Sequence, residues 1–288
     1  MKTKVSVIIP VYNAQKDIVK CLESLNNQSY SNYEIIVVNN NSSDRTKEII
    51  CKMKNKNNRI VVVFEPKVSR GAARNTGEKK AKGEIICMTD ADCILPANWI
   101  EEIIKPIREK GYDAAQGFED ESNKCYWSRQ TQIRNQEKWE LNDKNEIIGM
   151  IDTKNFAIRK KVLQKIGYTS RRYGNCNDTE LSIRMQKNKV KTKLLREANV
   201  LHRNEESIVG VAKKYVNRGY WTAKVSKDYK KTLQETDFFY KTNQTLWSFI
   251  KIIPGALKNL FVKGIKYAYF DTVTGFSWRV GLVIGWIK

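Results

Sequence analysis

Apolar runs and amphipathic segments alternate along the first two thirds of the chain. A continuous apolar run predicts a buried strand, and apolar residues three or four positions apart predict one face of a helix. Strands are predicted at residues 5–9, 34–38, 60–64, 84–89 and 113–118. Helices are predicted around residues 18–25, 49–53, 71–81 and 99–107. This order predicts an α/β fold with a mostly parallel, doubly wound sheet.

The pattern becomes less regular after residue 118. A polar and aromatic stretch around Trp127 and Trp139 is interpreted as a variable excursion from the core. Strand and helix return at residues 149–168, a helix is predicted at 179–187, and a short strand ends at His202, the only histidine.

Residues 206–288 differ in character from residues 1–205, and we assign them to a separate basic, helical region. A helical period continues across Pro254, which is expected to kink or divide the helix. Its apolar residues are Leu246, Ile250, Ile253, Leu257, Leu260, Phe261, Ile265 and Ala268. The lysines that fall mostly elsewhere around this helix are Lys251, Lys258, Lys263 and Lys266. Residues 245–288 hold six basic residues and one acid, a net charge of +5, together with Trp247, Trp278 and Trp286. This combination is typical of a helix in a membrane interface. An amphipathic helix packed on the preceding domain is the alternative.

The composition narrows the classes of function. At 288 residues, 41% of them hydrophobic, the chain is long enough for a sizeable core. Its net charge of +21 points to a polyanionic partner: nucleic acid, an anionic membrane surface or a phosphorylated substrate. A basic nucleic-acid-binding protein is the less favoured class, because the lysines are spread along the chain and no nucleic-acid-binding motif occurs.

Several features of the sequence lead us to expect a cytoplasmic protein. The apolar run that begins at Val5 is broken by Pro10 and is too short for a secretory signal. No stretch reaches the roughly 18–20 uninterrupted apolar residues of a spanning helix. Six cysteines without C-x-x-C spacing are expected to be reduced thiols.

Two carboxylates follow directly after the strand predicted at residues 84–89. Asp90 and Asp92 lie at its carboxyl end, where open α/β sheets bind ligands. Because two such carboxylates can share a hard divalent cation, the pair is a candidate site for metal-bound phosphate. The simpler interpretation is a solvated turn in which Asp92 helps to cap the next helix. Glycine-rich phosphate loops are absent, and PVYNAQ follows the first strand where a nucleotidyltransferase would carry one.

Five segments, in this order, resemble the motifs of the family 2 glycosyltransferases of the GT-A fold. They are SVIIPVYN at 6–13, VVNNNSSDRT at 37–46, RGAARNTG at 70–77, TDADC at 89–93 and NDTELSIRM at 177–185. The resemblance covers about residues 4–205. It implies a GT-A catalytic domain, which is a Rossmann-like nucleotide-diphospho-sugar transferase fold, and an inverting hexosyltransferase-type enzyme that uses Mn²⁺ or Mg²⁺.

The resemblance also implies metal ligands. Asp92 matches a direct ligand, and Asp90 matches a group that reaches the metal through water or holds the ribose. His202 matches a position where the family often has a third ligand. Transfer from a nucleotide sugar expels a diphosphate, whose developing charge a divalent ion stabilises.

Asp178 matches the family's catalytic base, which accepts the proton of the incoming hydroxyl. Its position at a helix start is expected to lower its pKa and keep it ionised. The alternative is that Asp178 only caps the helix, with Asn177 or Glu180 as rival candidates.

The donor pocket implied by the resemblance contains Pro10, Tyr12 and Asn40, placed where the family stacks and hydrogen-bonds a nucleobase. Asn39 and Asn40 replace both aspartates of the usual turn, and an amide can also hydrogen-bond bases other than uracil. The resemblance therefore favours a UDP-sugar as donor but does not fix the nucleobase. Arg74 is expected to pair with phosphate or with the acidic pair, and a purely structural salt bridge is the alternative.

The expected acceptor is a hydroxyl of a lipid-linked or cell-surface glycan, because a hydroxyl needs a base. A polyprenyl phosphate, which is already ionised, is the alternative acceptor. We expect the enzyme to work peripherally at the cytoplasmic face of the cell membrane, with an anionic membrane surface as its partner.

Overall fold

The computed structural model describes residues 3–144, 150–235 and 252–287, and the chain forms two compact units. The first comprises Met1–Asp120 and Asn145–His202, and the second comprises Glu121–Lys144 and Arg203–Lys288. Residues 121–144, which include the predicted excursion from the core, therefore belong with the C-terminal helices. The division predicted from the sequence, into residues 1–205 and 206–288, places residues 121–144 in the first region instead.

The described residues of the first unit form one sheet in the order β3-β2-β1-β4-β7-β6-β8-β5. The strands are β1 (Val5–Val11), β2 (Tyr33–Asn39), β3 (Ile60–Phe64), β4 (Ile85–Thr89), β5 (Cys93–Ile94), β6 (Ala114–Glu121), β7 (Asn155–Arg159) and β8 (Thr192–His202). The strand before His202 is longer than predicted. Only Ala198, Val200 and His202 are buried in it, so the apolar signal covers its end alone.

Parallel pairing is confined to one half of the sheet. β1 pairs in parallel with β2 and β4, and β2 with β3. β4 and β6 pair antiparallel with β7, and β5 pairs antiparallel with β8. The α/β fold class is confirmed, but the sheet is mixed. The connection between β6 and β7 runs through residues 121–144 of the second unit. The strand–helix alternation of the sequence therefore does not predict that β7 runs antiparallel to β4 and β6.

Helices cover both faces of the first unit's sheet. They are α1 (Ile18–Asn26), α2 (Thr46–Lys56), α3 (Arg70–Lys80), α4 (Trp99–Glu109), α6 (Lys160–Ile166) and α7 (Asn177–Lys187). Val7 and Ile9 of β1 pack in one hydrophobic cluster with side chains of α1 and α4. Ile8, on the opposite face, packs in a second cluster with side chains of α3 and α7. These two cores hold the carboxyl ends of β1 and β4 at a common edge.

The second unit is helical, as predicted for the C-terminal part. Its helices are α5 (Tyr126–Lys144), α8 (Ile208–Asp228), α9 (Lys230–Glu235), α10 (Ile252–Lys263) and α11 (Ile265–Ile287). The predicted excursion is the helix α5, which packs against α11. No helix within the described ranges is long and apolar enough to cross a bilayer.

The break in the C-terminal helical pattern lies at Gly264, not at Pro254. Gly264 has φ +83°, a left-handed conformation that glycine adopts readily, and it separates α10 from α11. α10 continues from Pro254 to Lys263 without a break. Leu246, Trp247, Ile250 and Lys251, which contributed to the predicted pattern, lie outside the described residues.

Candidate active site

β4 places two carboxylates at the edge of the sheet. All five of its residues are buried, and the turn that follows exposes 16% of the Asp90 side chain and 38% of the Asp92 side chain. Pairing of Cys93 in β5 with His202 in β8 brings the histidine to this turn. The His202 Nε2 atom lies 3.6 Å from Asp92 Oδ2. The structure therefore brings together two of the three predicted metal ligands.

The third predicted ligand, Asp90, contacts an arginine. Arg74 of α3 is buried, and its Nη2 lies 2.6 Å from Asp90 Oδ1. Burial alone would raise the pKa of Asp90, but the Arg74 and Arg70 guanidinium groups oppose it and the net pKa is below the ordinary value. Asp90 is therefore an ionised carboxylate bound to Arg74.

The donor set suits a hard or borderline divalent cation. Carboxylate oxygens with one imidazole nitrogen are ligands that Mn²⁺ accepts. Within the three described ranges, no three His, Cys, Asp or Glu side chains are grouped closely enough to hold a metal by themselves. Asp92 and His202 would supply two ligands, and water or a substrate diphosphate would occupy the remaining coordination positions of the cation.

Asp178 lies in the first turn of α7, and its side chain is 24% exposed. Arg74 Nη1 lies 3.4 Å from its Oδ1, so one arginine contacts both Asp90 and Asp178. The expected lowering of the Asp178 pKa is wrong. Burial raises the pKa of Asp178, and the nearby Asp152 and Asp90 carboxylates add to it, against the opposing effects of Arg74 and a Thr153 hydrogen bond. The raised pKa favours proton acceptance.

The rivals to Asp178 have other partners. Asn177 is fully buried and donates its side-chain amide to Asp178 Oδ1 at 2.8 Å. Glu180 is buried and pairs with Arg184, whose Nε lies 2.7 Å from Glu180 Oε1. Asp178 does not cap the helix, because the N-cap residue is Cys176, which makes no side-chain cap. Asp178 is thus the only acid of this first turn whose carboxylate is not held in a salt bridge within α7.

A segment that sequence reasoning missed lies directly before β7. Because Asn155 of β7 pairs antiparallel with Thr89 of β4, residues 151–154 lie beside the end of β4. The Asp152 N–H donates to the side chain of Gln116 at 2.7 Å. The Lys154 Nζ lies 2.5 Å from Glu119 Oε2 and 2.9 Å from Asp152 Oδ2. No local motif marks this segment, because its position depends on strand register.

The predicted nucleobase residues lie at the ends of β1 and β2. Pro10 pairs with Val38, and the Tyr12 side chain is exposed beyond β1. Asn40 is buried, and its Nδ2 donates to the carbonyl oxygens of Glu65 at 3.0 Å and Lys67 at 2.6 Å. Both of its donors are therefore used within the protein, and Oδ1, which accepts from the Ser69 N–H, keeps one lone pair.

A second contact that the sequence did not reveal joins the loop after β3 to the loop before α7. Arg171 donates to both carboxylate oxygens of Glu65, at 2.8 and 2.9 Å. Burial would raise the pKa of Glu65, but hydrogen bonds from Arg171, Thr76 and the Lys67 N–H lower it to about 2. The residues are 106 positions apart, so only the fold brings them together.

The mixed sheet, the acidic turn after β4 and the carboxylate that opens α7 are features of GT-A glycosyltransferases. The chain belongs to glycosyl transferase family 2, whose profile matches residues 6–167, more than half of its length. The predicted family, fold class and enzyme class are confirmed.

Similar proteins agree with this assignment. The glycosyltransferase GlyG of Streptococcus pneumoniae is 37% identical over 118 residues, which are 41% of this chain and 39% of that protein. The glycosyltransferase AglE of Haloferax volcanii is 39% identical over 116 residues, 39% of this chain and 38% of that protein. The chain thus matches about two fifths of the length of these two relatives.

Solved structures share the fold. The mannosyltransferase PcManGT of Pyrobaculum calidifontis, in complex with GDP-Man and Mn²⁺, has a TM-score of 0.72 at 16% identity and covers 98% of this chain and 88% of its own. TarS 1–349 of S. aureus, in complex with UDP-GlcNAc, has a TM-score of 0.56 at 17% identity and covers 93% and 90%. At these identities the likeness concerns the fold.

Proposed function

We propose that the protein is an inverting, metal-dependent glycosyltransferase that moves a sugar from a nucleotide-sugar donor to a hydroxyl group. The observation that carries this proposal is the placement of Asp178, with its raised pKa, beside Asp90 and its shared Arg74. The family motifs on these residues support it.

In the donor half of the site, Asp92 and His202 would hold a divalent cation, with Asp90 acting through water or on the ribose. Mn²⁺ or Mg²⁺, when bound, would offset the charge that develops on the leaving diphosphate. The Mn²⁺ in the PcManGT structure supports this choice of ion. Arg74 stays on Asp90 and keeps it ionised.

In the acceptor half, Asp178 would remove the proton of the acceptor hydroxyl. The freed oxygen attacks the anomeric carbon, the bond from that carbon to the diphosphate oxygen breaks, and the nucleoside diphosphate leaves with the electron pair. A single displacement inverts the anomeric carbon. The base limits the site to acceptors that carry a proton to give up.

The donor base should offer an N–H group to Asn40. Since both amide donors of Asn40 are used by the Glu65 and Lys67 carbonyls, only its oxygen can serve a ligand. The N3–H of uracil suits that oxygen, and Tyr12 would stack on the base. We therefore propose UDP-sugars as the favoured donors, and GDP-sugars are the donors against which they should be compared.

The proposed acceptor is a hydroxyl of a lipid-linked or cell-surface glycan. Asp152 and Asp90 lie close enough to Asp178 to raise its pKa, and we propose that the negative charge around the base disfavours an anionic acceptor such as polyprenyl phosphate.

We also propose that the protein acts peripherally at the cytoplasmic face of the membrane, bound to anionic lipid through α10. None of the residues of α10 is buried, and Leu257, Phe261 and Val262 are 52%, 85% and 68% exposed. The exposed Lys258 lies in the same helix, and the exposed Lys266 lies at the start of α11.

The base role predicts the behaviour of Asp178→Asn. An amide cannot accept the proton, so turnover should fall by about 10²–10⁴-fold while nucleotide binding changes by less than about twofold. Product release and calorimetric binding of UDP measure the two effects. Glu180→Gln is the matched control. Glu180 is an acid in the same turn, but it pairs with Arg184, so its loss should leave turnover unchanged. Retained turnover in Asp178→Asn would refute the role.

The metal role predicts a loss of metal-dependent binding in Asp92→Ala. Mn²⁺ should strengthen UDP binding to the unaltered protein, and loss of a ligand should weaken this gain by about 10–100-fold. Titrations of UDP with Mn²⁺ and with a chelator measure the difference. Glu48→Ala, at an exposed site on α2, should behave as the unaltered protein. Identical metal dependence in Asp92→Ala would count against the site.

A further inference from the structure

A buried threonine donates its hydroxyl to the proposed base. Thr153 is fully buried, and its Oγ1 lies 2.6 Å from Asp178 Oδ1. Asn177 Nδ2 at 2.8 Å and Arg74 Nη1 at 3.4 Å approach the same oxygen. Among the residues that the structure describes, no donor reaches Asp178 Oδ2. The two oxygens of one carboxylate thus have different surroundings.

The main chain on either side of this contact is also fixed. The Ile151 N–H donates to Ser182 Oγ at 3.0 Å, and Ser182 Oγ donates to the Asp178 carbonyl at 2.7 Å. The segment before β7 therefore holds both the backbone and the side chain of Asp178. The Lys154 ammonium, between Glu119 and Asp152, anchors the other end of the segment.

We propose that Thr153 is a positioning residue for glycosyl transfer, which orients the Asp178 carboxylate so that Oδ2 accepts the proton of the acceptor hydroxyl. Three donors on Oδ1 stabilise that oxygen as an anion and leave it without room for the acceptor. Oδ2 is then the atom from which an acceptor can be deprotonated. The inference rests on the proposed base role of Asp178.

The charged groups around Asp178 set the direction of the expected pH effect. Arg74 and Arg70 come from α3, Asp90 from the turn after β4, and Asp152 from the segment before β7. Burial, Asp152 and Asp90 raise the pKa of Asp178, whereas Arg74 and the Thr153 hydroxyl lower it. Loss of the hydroxyl removes a donor to the charged form, so the pKa should rise further.

Thr153→Val tests the inference, because valine keeps the shape and loses the hydroxyl. The rate of nucleoside diphosphate release, with water as acceptor and Mn²⁺ present, is measured against pH for UDP-GlcNAc, UDP-glucose and GDP-mannose in parallel. The acid limb of kcat/KM should move up by about one pH unit, since a hydrogen bond to a charged group is lost. Thr153→Ser, which keeps the hydroxyl, should show the acid limb at the pH of the unaltered protein. The UDP affinity of both variants should stay within about twofold of the unaltered protein.

Ser182→Ala is the matched control, because it removes the contact to the Asp178 backbone and leaves the carboxylate contacts in place. It should lower the Tm without moving the acid limb. An unmoved limb in Thr153→Val, or an equal shift in Ser182→Ala, would overturn the positioning role. If Thr153→Val does not fold, Thr153→Ala provides the same comparison with Thr153→Ser. Retained turnover in Asp178→Asn would instead refute the base role itself, so the two failures are distinguishable.

Discussion

One arginine contacts two carboxylates whose pKa values shift in opposite directions. Arg74 lies 2.6 Å from Asp90 Oδ1 and 3.4 Å from Asp178 Oδ1. Burial raises the pKa of both acids. Arg74 and Arg70 together overcome this at Asp90, whereas at Asp178 the Asp152 and Asp90 carboxylates add to it and Arg74 does not overcome it. Neighbouring carboxylates with divergent pKa values suit separate roles, here one fixed anion and one proton acceptor.

The Glu65–Arg171 ion pair predicts an acid-sensitive contribution to stability. Because the pKa of Glu65 is lowered from 4.5 to about 2, its carboxylate stabilises the fold above pH 4.5, and this contribution declines as the pH falls towards 2. Glu65→Gln should lower the free energy of unfolding by about 1–2 kcal/mol at pH 7, a value reduced by the exposure of Arg171. The difference from the unaltered protein should shrink between pH 4.5 and 2.

Thermal unfolding across that pH range measures the difference. Glu48→Gln is the control, because its pair with Arg45 is 63% and 74% exposed and should contribute almost nothing. A pH-independent difference for Glu65→Gln would show that the ion pair is not its cause.

The sequence predicted functional residues that carry a family signature. It missed residues that come to the site only through contacts between distant parts of the chain. Asp92 and Asp178 lie in motifs of the family, and His202 lies at a position that the resemblance marks. Pairing of β5 with β8 brings His202 to Asp92. Thr153 and Arg171 carry no local signature, because Thr153 reaches the site through antiparallel pairing and Arg171 through a loop contact.

Close packing of α8 on α11 depends on glycines. A Cβ at Gly281 of α11 would lie 1.9 Å from the Val216 carbonyl oxygen, and one at Gly219 of α8 would lie 1.9 Å from the Trp278 carbonyl oxygen. Both obstacles are backbone atoms, which cannot rotate aside. Absence of a side chain at these positions is therefore required for the two helices to approach so closely.

Gly281→Ala should force α8 and α11 apart. The free energy of unfolding of the second unit should fall by about 1–3 kcal/mol, the usual effect of overpacking. Limited proteolysis with mapping of cleavage sites in residues 203–288, together with thermal unfolding, measures the loss.

Gly275→Ala, on the same helix, is the matched control. Its Cβ would meet only the end of the flexible Arg279 side chain, at 3.1 Å. Alanine should stabilise this helix by up to about 1 kcal/mol. Equal loss in both variants would show that the close approach of α8 to Gly281 is not the cause of the effect.

Elements with a strong apolar pattern were predicted, and those without one were not. The five strands predicted up to residue 118 all occur. α5 was missed because no two of its apolar residues are three or four positions apart, the spacing that marks a helix face. These residues are Tyr126, Trp127, Ile133, Trp139 and Leu141. The division at Gly264 was missed because the apolar period continues through it.

The charge of the whole chain exceeds what solubility requires. A net charge of magnitude about 2–8 suffices for a small domain, whereas this chain carries +21. The acidic groups of the candidate site belong to the first unit, and the exposed apolar and basic side chains of α10 belong to the second. A helix that exposes both kinds of side chain gains from an anionic lipid surface through apolar burial and charge attraction together.

Vesicle flotation separates these two contributions. The full chain should float with phosphatidylglycerol-rich vesicles and poorly with phosphatidylcholine vesicles. Leu257→Asp with Phe261→Asp should abolish flotation, whereas Lys258→Glu with Lys266→Glu should weaken it by about fivefold or more per lysine and only with anionic lipid. Phe64→Asp is the matched control, because Phe64 is 59% exposed on β3 of the first unit. Flotation of the Leu257/Phe261 variant at the level of the unaltered protein would exclude α10 as the membrane contact and leave its apolar surface to another partner.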